Sequence, residues 1–193
     1  MTLYGWLIFP LWLALVVYWV FATGAAQRRS SAGRWIWWRE IAVRLGFFAL
    51  ALLVLQIAAL RHALPRAALY EPNTSVALGL VGFVISAAGI GLAIASRACL
   101  GRSWSPRAEQ RQPTELITSG PYAVVRHPLY SGLLLAIAGS AIGQSVFWLL
   151  PGLVYGPLFI LTARREEHSL LEQFPDGYRA YMKRTKMLLP FVL

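Results

Sequence analysis

Only 13% of the 193 residues are charged while 58% are hydrophobic, which excludes an ordinary soluble domain, where about a quarter of residues carry charge. The net charge of +10 suggests nucleic acid as a partner, but the arginines cluster between long uncharged runs, the pattern of a membrane protein with no nucleic-acid role. Cys99 is the one cysteine, so an internal disulfide and a cysteine-based metal site are both excluded.

Four runs lack any charge: Met1 to Gln27, Leu45 to Leu60, Pro72 to Ser96, and Pro128 to Ala163. About 20 apolar residues cross a bilayer as a helix. The last run has 36 residues, enough for two spans folded back at Gly143-Gln144-Ser145. The expectation is an all-α integral membrane protein with about five transmembrane helices, roughly 3–22, 41–60, 75–97, 128–143 and 146–163. Residues 1–99 would hold three of them. Residues 100–193 would hold a polar loop, a helical hairpin and a cytoplasmic, helical C-terminal region.

The first run lacks a positive flank before its apolar stretch, and Trp6, Trp12 and Trp19 make it bulky. It therefore reads as a span rather than a cleaved signal. The next loop is rich in Arg and carries Trp35, Trp37 and Trp38, consistent with a short helix lying at the interface. Only Arg61 and Arg66 fall in the second loop. The 97–126 loop and the tail after Ala163 are again basic. This alternation puts the N-terminus outside and the C-terminus in the cytoplasm.

The third run contains Gly79, Gly82, Ser86, Gly89 and Gly91. Small residues one turn apart let two helices approach closely. Gly89-Ile90-Gly91 is too little for a dinucleotide fingerprint, because no strand precedes it. Gly152 and Gly156 repeat the small-residue spacing later in the chain.

Gly120-Pro121 reads as a turn, and Pro128 as the first residue of a helix. Arg126 and His127 would sit just outside that helix, where free N–H groups favour an anion. After the last span, Glu167, Leu170, Leu171 and Phe174 recur at helical spacing. Pro175-Asp176-Gly177 is expected to break that helix, and Tyr178, Tyr181 and Thr185 to mark one face of the next. The sequence has no HExxH, GxSxG or Walker A motif. Two polar groups remain: Tyr122, Arg126, His127 and Tyr130, and Arg164, Glu166 and Glu167. The hairpin between them would make them neighbours.

At these residues the chain resembles the isoprenylcysteine carboxyl methyltransferase family, part of a larger group of membrane methyltransferases that includes phospholipid N-methyltransferases. The resemblance covers about residues 100–191. It runs through Gly101-Arg102-Ser103-Trp104-Ser105, Leu116 to Tyr122, Arg126-His127-Pro128-Leu129-Tyr130, Gly132, Glu166-Glu167, Phe174, Tyr178, Tyr181 and Pro190. It implies S-adenosylmethionine as methyl donor. It also implies a cofactor pocket of Thr114, Glu115, Leu116, Ile117, Tyr122, His127, Pro128, Leu129, Tyr130 and Glu166. The implied acceptor is lipophilic, an isoprenylcysteine-type carboxylate first, a phospholipid amine or a small thiol as alternatives.

Two positions depart from the family's pattern. Thr114 stands where many members have His. Thr162 stands where carboxyl methyltransferases commonly have a basic residue, and Arg164 or Arg165 is the candidate substitute. Glu167 or His168 would accept the proton from an amine acceptor. Arg164 and Glu167 are thus the candidate catalytic residues. An NADPH-dependent membrane reductase and a non-catalytic membrane scaffold are the rival readings. Arg outnumbers Lys 16 to 2, which suggests a GC-rich bacterial genome and an inner-membrane location.

Overall fold

A computed structural model describes residues 3–27, 74–101 and 115–188. Five α-helices lie in that part: α1 (Leu3–Gln27), α2 (Val76–Leu100), α3 (Pro128–Gly143), α4 (Leu149–Gln173) and α5 (Pro175–Arg184). The helices Val76–Leu100 and Val146–Gln173 are long and apolar enough to cross a membrane, and Trp6–Ala22 and Pro128–Gly143 are shorter apolar helices. Four of the five expected spans therefore coincide with helices. The span at 41–60, and the interfacial helix around Trp35 to Trp38, lie outside the described residues.

Helices α2 and α3 form the centre of the fold, and glycine is the reason. A Cβ on Gly132 would lie 2.6 Å from the Gly89 carbonyl oxygen, and one on Gly89 would lie 2.6 Å from that of Gly132. Gly82 and Gly139 meet the opposite helix in the same way, so the two backbones touch along their length. Ser86 seals the contact: its hydroxyl donates to the Ala136 carbonyl at 3.3 Å and lies 3.3 Å from the Ser140 hydroxyl. Trp12 on α1 donates its indole N–H to Ser140 at 3.0 Å and stacks on Trp148. In a bilayer such polar groups have no water to bond with, so they find partners across helices. The Gly152 and Gly156 pair behaves differently. A Cβ at either would meet only side-chain carbons of α3, at 3.3 Å from Ile137 and 3.9 Å from Leu134.

The fold back after Gly143 falls at the expected bend. Ser145 caps a short 3₁₀ turn, Val146–Trp148, through its hydroxyl and the Phe147 N–H. The tail is helical, as expected. Helix α4 runs without a break from Leu149 through Arg164 to Gln173, so the segment after the last span continues the span itself. It thereby carries Glu166 and Glu167 rigidly past the apolar stretch. The expected break falls at Phe174, and Pro175-Asp176-Gly177 forms the first turn of α5, because proline at a first helical position sacrifices no hydrogen bond.

Candidate active site

His127 precedes a proline, and the residue before proline is pushed toward extended backbone. His127 is accordingly outside the helical region, with φ −124° and ψ 61°, and the chain just before it pairs in parallel with the segment after α5, through a bridge between Val125 and Lys186. The Arg126 N–H donates to the Lys186 carbonyl at 2.8 Å, and the His127 N–H to that of Met187 at 3.0 Å. The Ser131 hydroxyl donates to the Leu188 carbonyl. This ladder fixes the entry to α3 and with it the direction of two side chains.

Arg126 points to α4. Its Nε lies 2.6 Å from Glu167 Oε1, and its Nη1 donates to the Thr185 carbonyl. Both side chains of the pair are only 9% exposed. His127 is buried, with Nε2 3.3 Å from Glu167 Oε1 and Nδ1 3.3 Å from Glu166 Oε2. Tyr130 donates its hydroxyl to Glu166 Oε1 at 2.8 Å. Two arms of a helical hairpin are thus joined by one polar cluster at their polar end. The N-terminus of α3 adds its own positive potential beside the two carboxylates.

Burial works against a charged imidazole at His127, but the hydrogen bonds and charges of Glu166 and Glu167 outweigh it and raise its pKa. Protonated, the ring donates to both carboxylates. On the other side Tyr181 donates to the Tyr122 carbonyl at 2.6 Å, and burial pushes its phenol up to about 12. Tyr178 is 1% exposed, and burial raises its phenol too. Both rings are therefore neutral packing elements that hold α5 against the Tyr122 turn.

The turn itself needs glycine. Gly120 has φ +59°, a left-handed conformation that side chains disfavour. A Cβ there would also lie 3.4 Å from the Cys99 sulfur.

An aromatic wall leads away from the cluster. His127 stacks on Tyr130 at 5.7 Å between ring centroids, Tyr130 on Phe159 at 4.9 Å, and Phe159 lies 5.8 Å from Tyr155. Tyr155 is exposed on the membrane-facing length of α4.

Of the residues singled out in the sequence, Tyr130, His127, Glu166 and Glu167 meet in the cluster. Tyr122 and Pro128 are buried beside it, and Leu129 is half-buried at the start of α3. Leu116 and Ile117 are half-buried in the segment before the turn, with Leu116 near Gly177 of α5. Glu115 is exposed, and Thr114 lies outside the described residues. Arg164 is exposed on α4. The arginine that meets Glu167 is Arg126. His168 also points outward and pairs with Glu172 at 3.4 Å. Phe159 and Tyr155 did not stand out in the sequence reading, although 155, 159, 163 and 166 or 167 share one helix face. The role of the Thr185 and Lys186 carbonyls had no sequence signal, because backbone groups carry none.

The phospholipid methyltransferase family profile matches residues 78–177, just over half of the chain. Over 104 residues the chain is 33% identical to the nickel-cobalt-cadmium resistance protein of Alcaligenes xylosoxydans xylosoxydans, covering 52% of this chain and 48% of that one. It is 38% identical over 78 residues to the methanethiol S-methyltransferase of Pseudomonas deceptionensis, covering 36% of this chain and 26% of that one. The fold is similar to that of the eukaryotic intramembrane Ras methyltransferase, an isoprenylcysteine carboxyl methyltransferase. The TM-score is 0.61 at 19% identity, over 96% of this chain and 67% of that one. The matched region spans about half the length of the metal-resistance relative and less of the methanethiol enzyme. The profile match runs from α2 through the hairpin to the first turn of α5, and on it the chain belongs to the phospholipid methyltransferase family of membrane methyltransferases.

Proposed function

We propose that this chain transfers a methyl group from S-adenosylmethionine to a lipophilic acceptor at the cytoplasmic face of a membrane. The observation that carries this reading is the cluster Arg126–Glu167–His127–Glu166–Tyr130, set between a polar helix end and an aromatic wall. The donor set fits the cofactor. The Glu166 side chain is 29% exposed, more than either neighbour in the cluster, and a carboxylate has lone pairs for donors beyond Tyr130 and His127. It would accept from an ammonium or a ribose hydroxyl. The Tyr130 and Phe159 faces suit a positively charged sulfonium. The cofactor, when bound, supplies an electrophilic methyl group.

The residues of the chain then position and desolvate. Arg126 and His127 hold Glu167, and His127 with Tyr130 fixes the Glu166 carboxylate. Orientation of this kind accounts for a large part of the rate of a displacement that needs no acid at the methyl carbon. Leu116, Ile117, Tyr122, Pro128 and Leu129 would complete the pocket, with Glu115 at its rim.

For the acceptor, Thr162 carries the choice. Its hydroxyl donates back to the Leu158 carbonyl at 2.8 Å, and Arg126 is already committed to Glu167. Among the described residues the cluster thus holds no spare cation for a substrate carboxylate. A thiol or a neutral amine needs none, and the methanethiol S-methyltransferase relative supports the thiol. A carboxylate acceptor of the isoprenylcysteine type is the second reading, and requires Arg164 or Arg165 to turn inward.

Titration of the purified protein in detergent with S-adenosylmethionine and, separately, NADPH tests the cofactor. Saturable binding of the first, abolished by Glu166→Ala in a protein that still folds, is the expected result. Binding of NADPH alone would sink the proposal. Transfer of labelled methyl to thiols, lipid amines and prenylated cysteine analogues then ranks the acceptors.

A further inference from the structure

Beside the cluster, on the outer side of the 125–127 ladder, lies a groove of about 300 Å³ lined by Ala123, Val124, Met182, Lys183, Arg184, Thr185 and Lys186. Three of these seven residues are cationic and none is acidic. Lys183 and Arg184 close the last turn of α5, where cations complement the negative end of the helix. That explanation does not reach Lys186, which stands two residues past the helix, nor Val124, which is 59% exposed on the opposite wall.

The position of the groove is set by the membrane helix next to it. Val124 is four residues before Pro128, where the uncharged α3 begins. On the reading of α3 as a membrane span, on which this proposal rests, the groove lies near the depth of lipid headgroups, with Ala123 and Val124 as its apolar part and Lys183, Arg184 and Lys186 as its basic part. A phosphate with an apolar chain attached matches both walls. A free phosphate matches only one.

We propose that this groove binds the phosphate of an anionic phospholipid headgroup, held by Lys183, Arg184 and Lys186, with Val124 against the first carbons of the lipid. The site is separate from the methyl-transfer reading and stands without it. It adjoins the cluster through backbone alone, since the Thr185 and Lys186 carbonyls are the groups that hold Arg126.

The test is lipid retention by native mass spectrometry of the full-length protein, loaded with phosphatidylglycerol or phosphatidylcholine. The expected result is preferential, saturable retention of phosphatidylglycerol. A direct hydrogen bond to an ionised group is worth roughly tenfold or more in affinity, so the triple variant K183Q/R184Q/K186Q should lose at least about tenfold. Arg179→Gln removes one charge from the same helix outside the groove and should leave retention unchanged, as should K183R/K186R. All three groove cations are exposed, and an unchanged melting temperature of the triple variant confirms that it folds. Equal retention of the two lipids, or an equal loss in Arg179→Gln and the triple variant, would overturn the proposal. Inorganic phosphate is the remaining arm. Retention of phosphate with no preference between the lipids would also overturn it, in favour of a soluble anion.

Discussion

Arg126 and Glu167, 41 positions apart in sequence, meet at 2.6 Å with both side chains nearly buried. The pair ties the entrance of α3 to the polar end of α4, and the same carboxylate oxygen also faces His127. Removing one partner leaves a buried charge without compensation, which costs about 3–5 kcal/mol in other proteins. Arg126→Gln or Glu167→Gln should lower the thermal stability of the detergent-solubilised protein markedly. A melting temperature within a degree of the parent in both variants would show that the pair contributes little.

The cluster should respond to pH through His127. Its pKa in the folded protein is raised above 6.5. The stabilisation from the protonated ring is therefore complete below pH 6.5 and is lost as pH rises through the folded value. Thermal stability of the parent should fall across that interval relative to His127→Gln, whose profile should be flatter. Parallel profiles would mean that the ring does not titrate between its two glutamates.

Glycine contacts between α2 and α3 can be separated from glycine content. Gly132→Ala pushes a Cβ into the Gly89 backbone, whereas among the described residues Gly91 has nothing within 4 Å of such an atom. Overpacking of this kind costs about 1–3 kcal/mol. Gly132→Ala should destabilise the protein by that amount, and Gly91→Ala should be neutral or slightly stabilising, since alanine is the better helix former. Chemical denaturation in mixed micelles measures both.

The hydrogen bond and the ring stacking of Tyr130 can be separated by a pair of variants. Tyr130→Phe keeps the stack on Phe159 but loses the hydrogen bond to Glu166. A bond to a charged group is worth about 1.5–3 kcal/mol. If Glu166 contacts the cofactor, affinity for S-adenosylmethionine should fall by roughly tenfold in Tyr130→Phe, and further in Tyr130→Ala. Isothermal titration reads both, and an unchanged affinity in Tyr130→Phe removes Glu166 from the pocket.

The acceptor reading turns on one position. Thr162→Arg supplies the cation that the described cluster lacks. It should raise methyl transfer to prenylated cysteine carboxylates relative to thiols. A strong carboxylate activity in the unmodified protein, lost in Arg164→Gln, would favour the second reading instead.

Much of the architecture was legible in the sequence because a bilayer constrains it so strongly. Uncharged runs of the right length must be helices, since no other open segment satisfies its backbone in lipid. The 36-residue run and its Gly143-Gln144-Ser145 bend gave the hairpin, and the hairpin placed Tyr130 near Glu166. Small residues at Gly82, Ser86 and Gly89 likewise announced a close helix contact, though their spacing alone could not identify α3 as the partner. The reach of α4 past Ala163 was less visible. Charges at Arg164 and Arg165 mark the end of an apolar stretch but say nothing about whether the helix ends there.

What the sequence by itself determined was the membrane class, the hairpin and the residue types of the cluster, because each follows from local composition and spacing. Only the tertiary structure decided which cation meets which carboxylate. Arg164 stands three positions before Glu167 on the same helix, yet the cation that meets Glu167 is Arg126, from the other arm of the hairpin. The reason is the backbone just before Pro128: Val125 bridges Lys186, the Arg126 and His127 N–H groups donate to the chain after α5, and this aims Arg126 across the hairpin. Pairing between segments 60 residues apart is a property of the folded backbone, and no side-chain pattern encodes it.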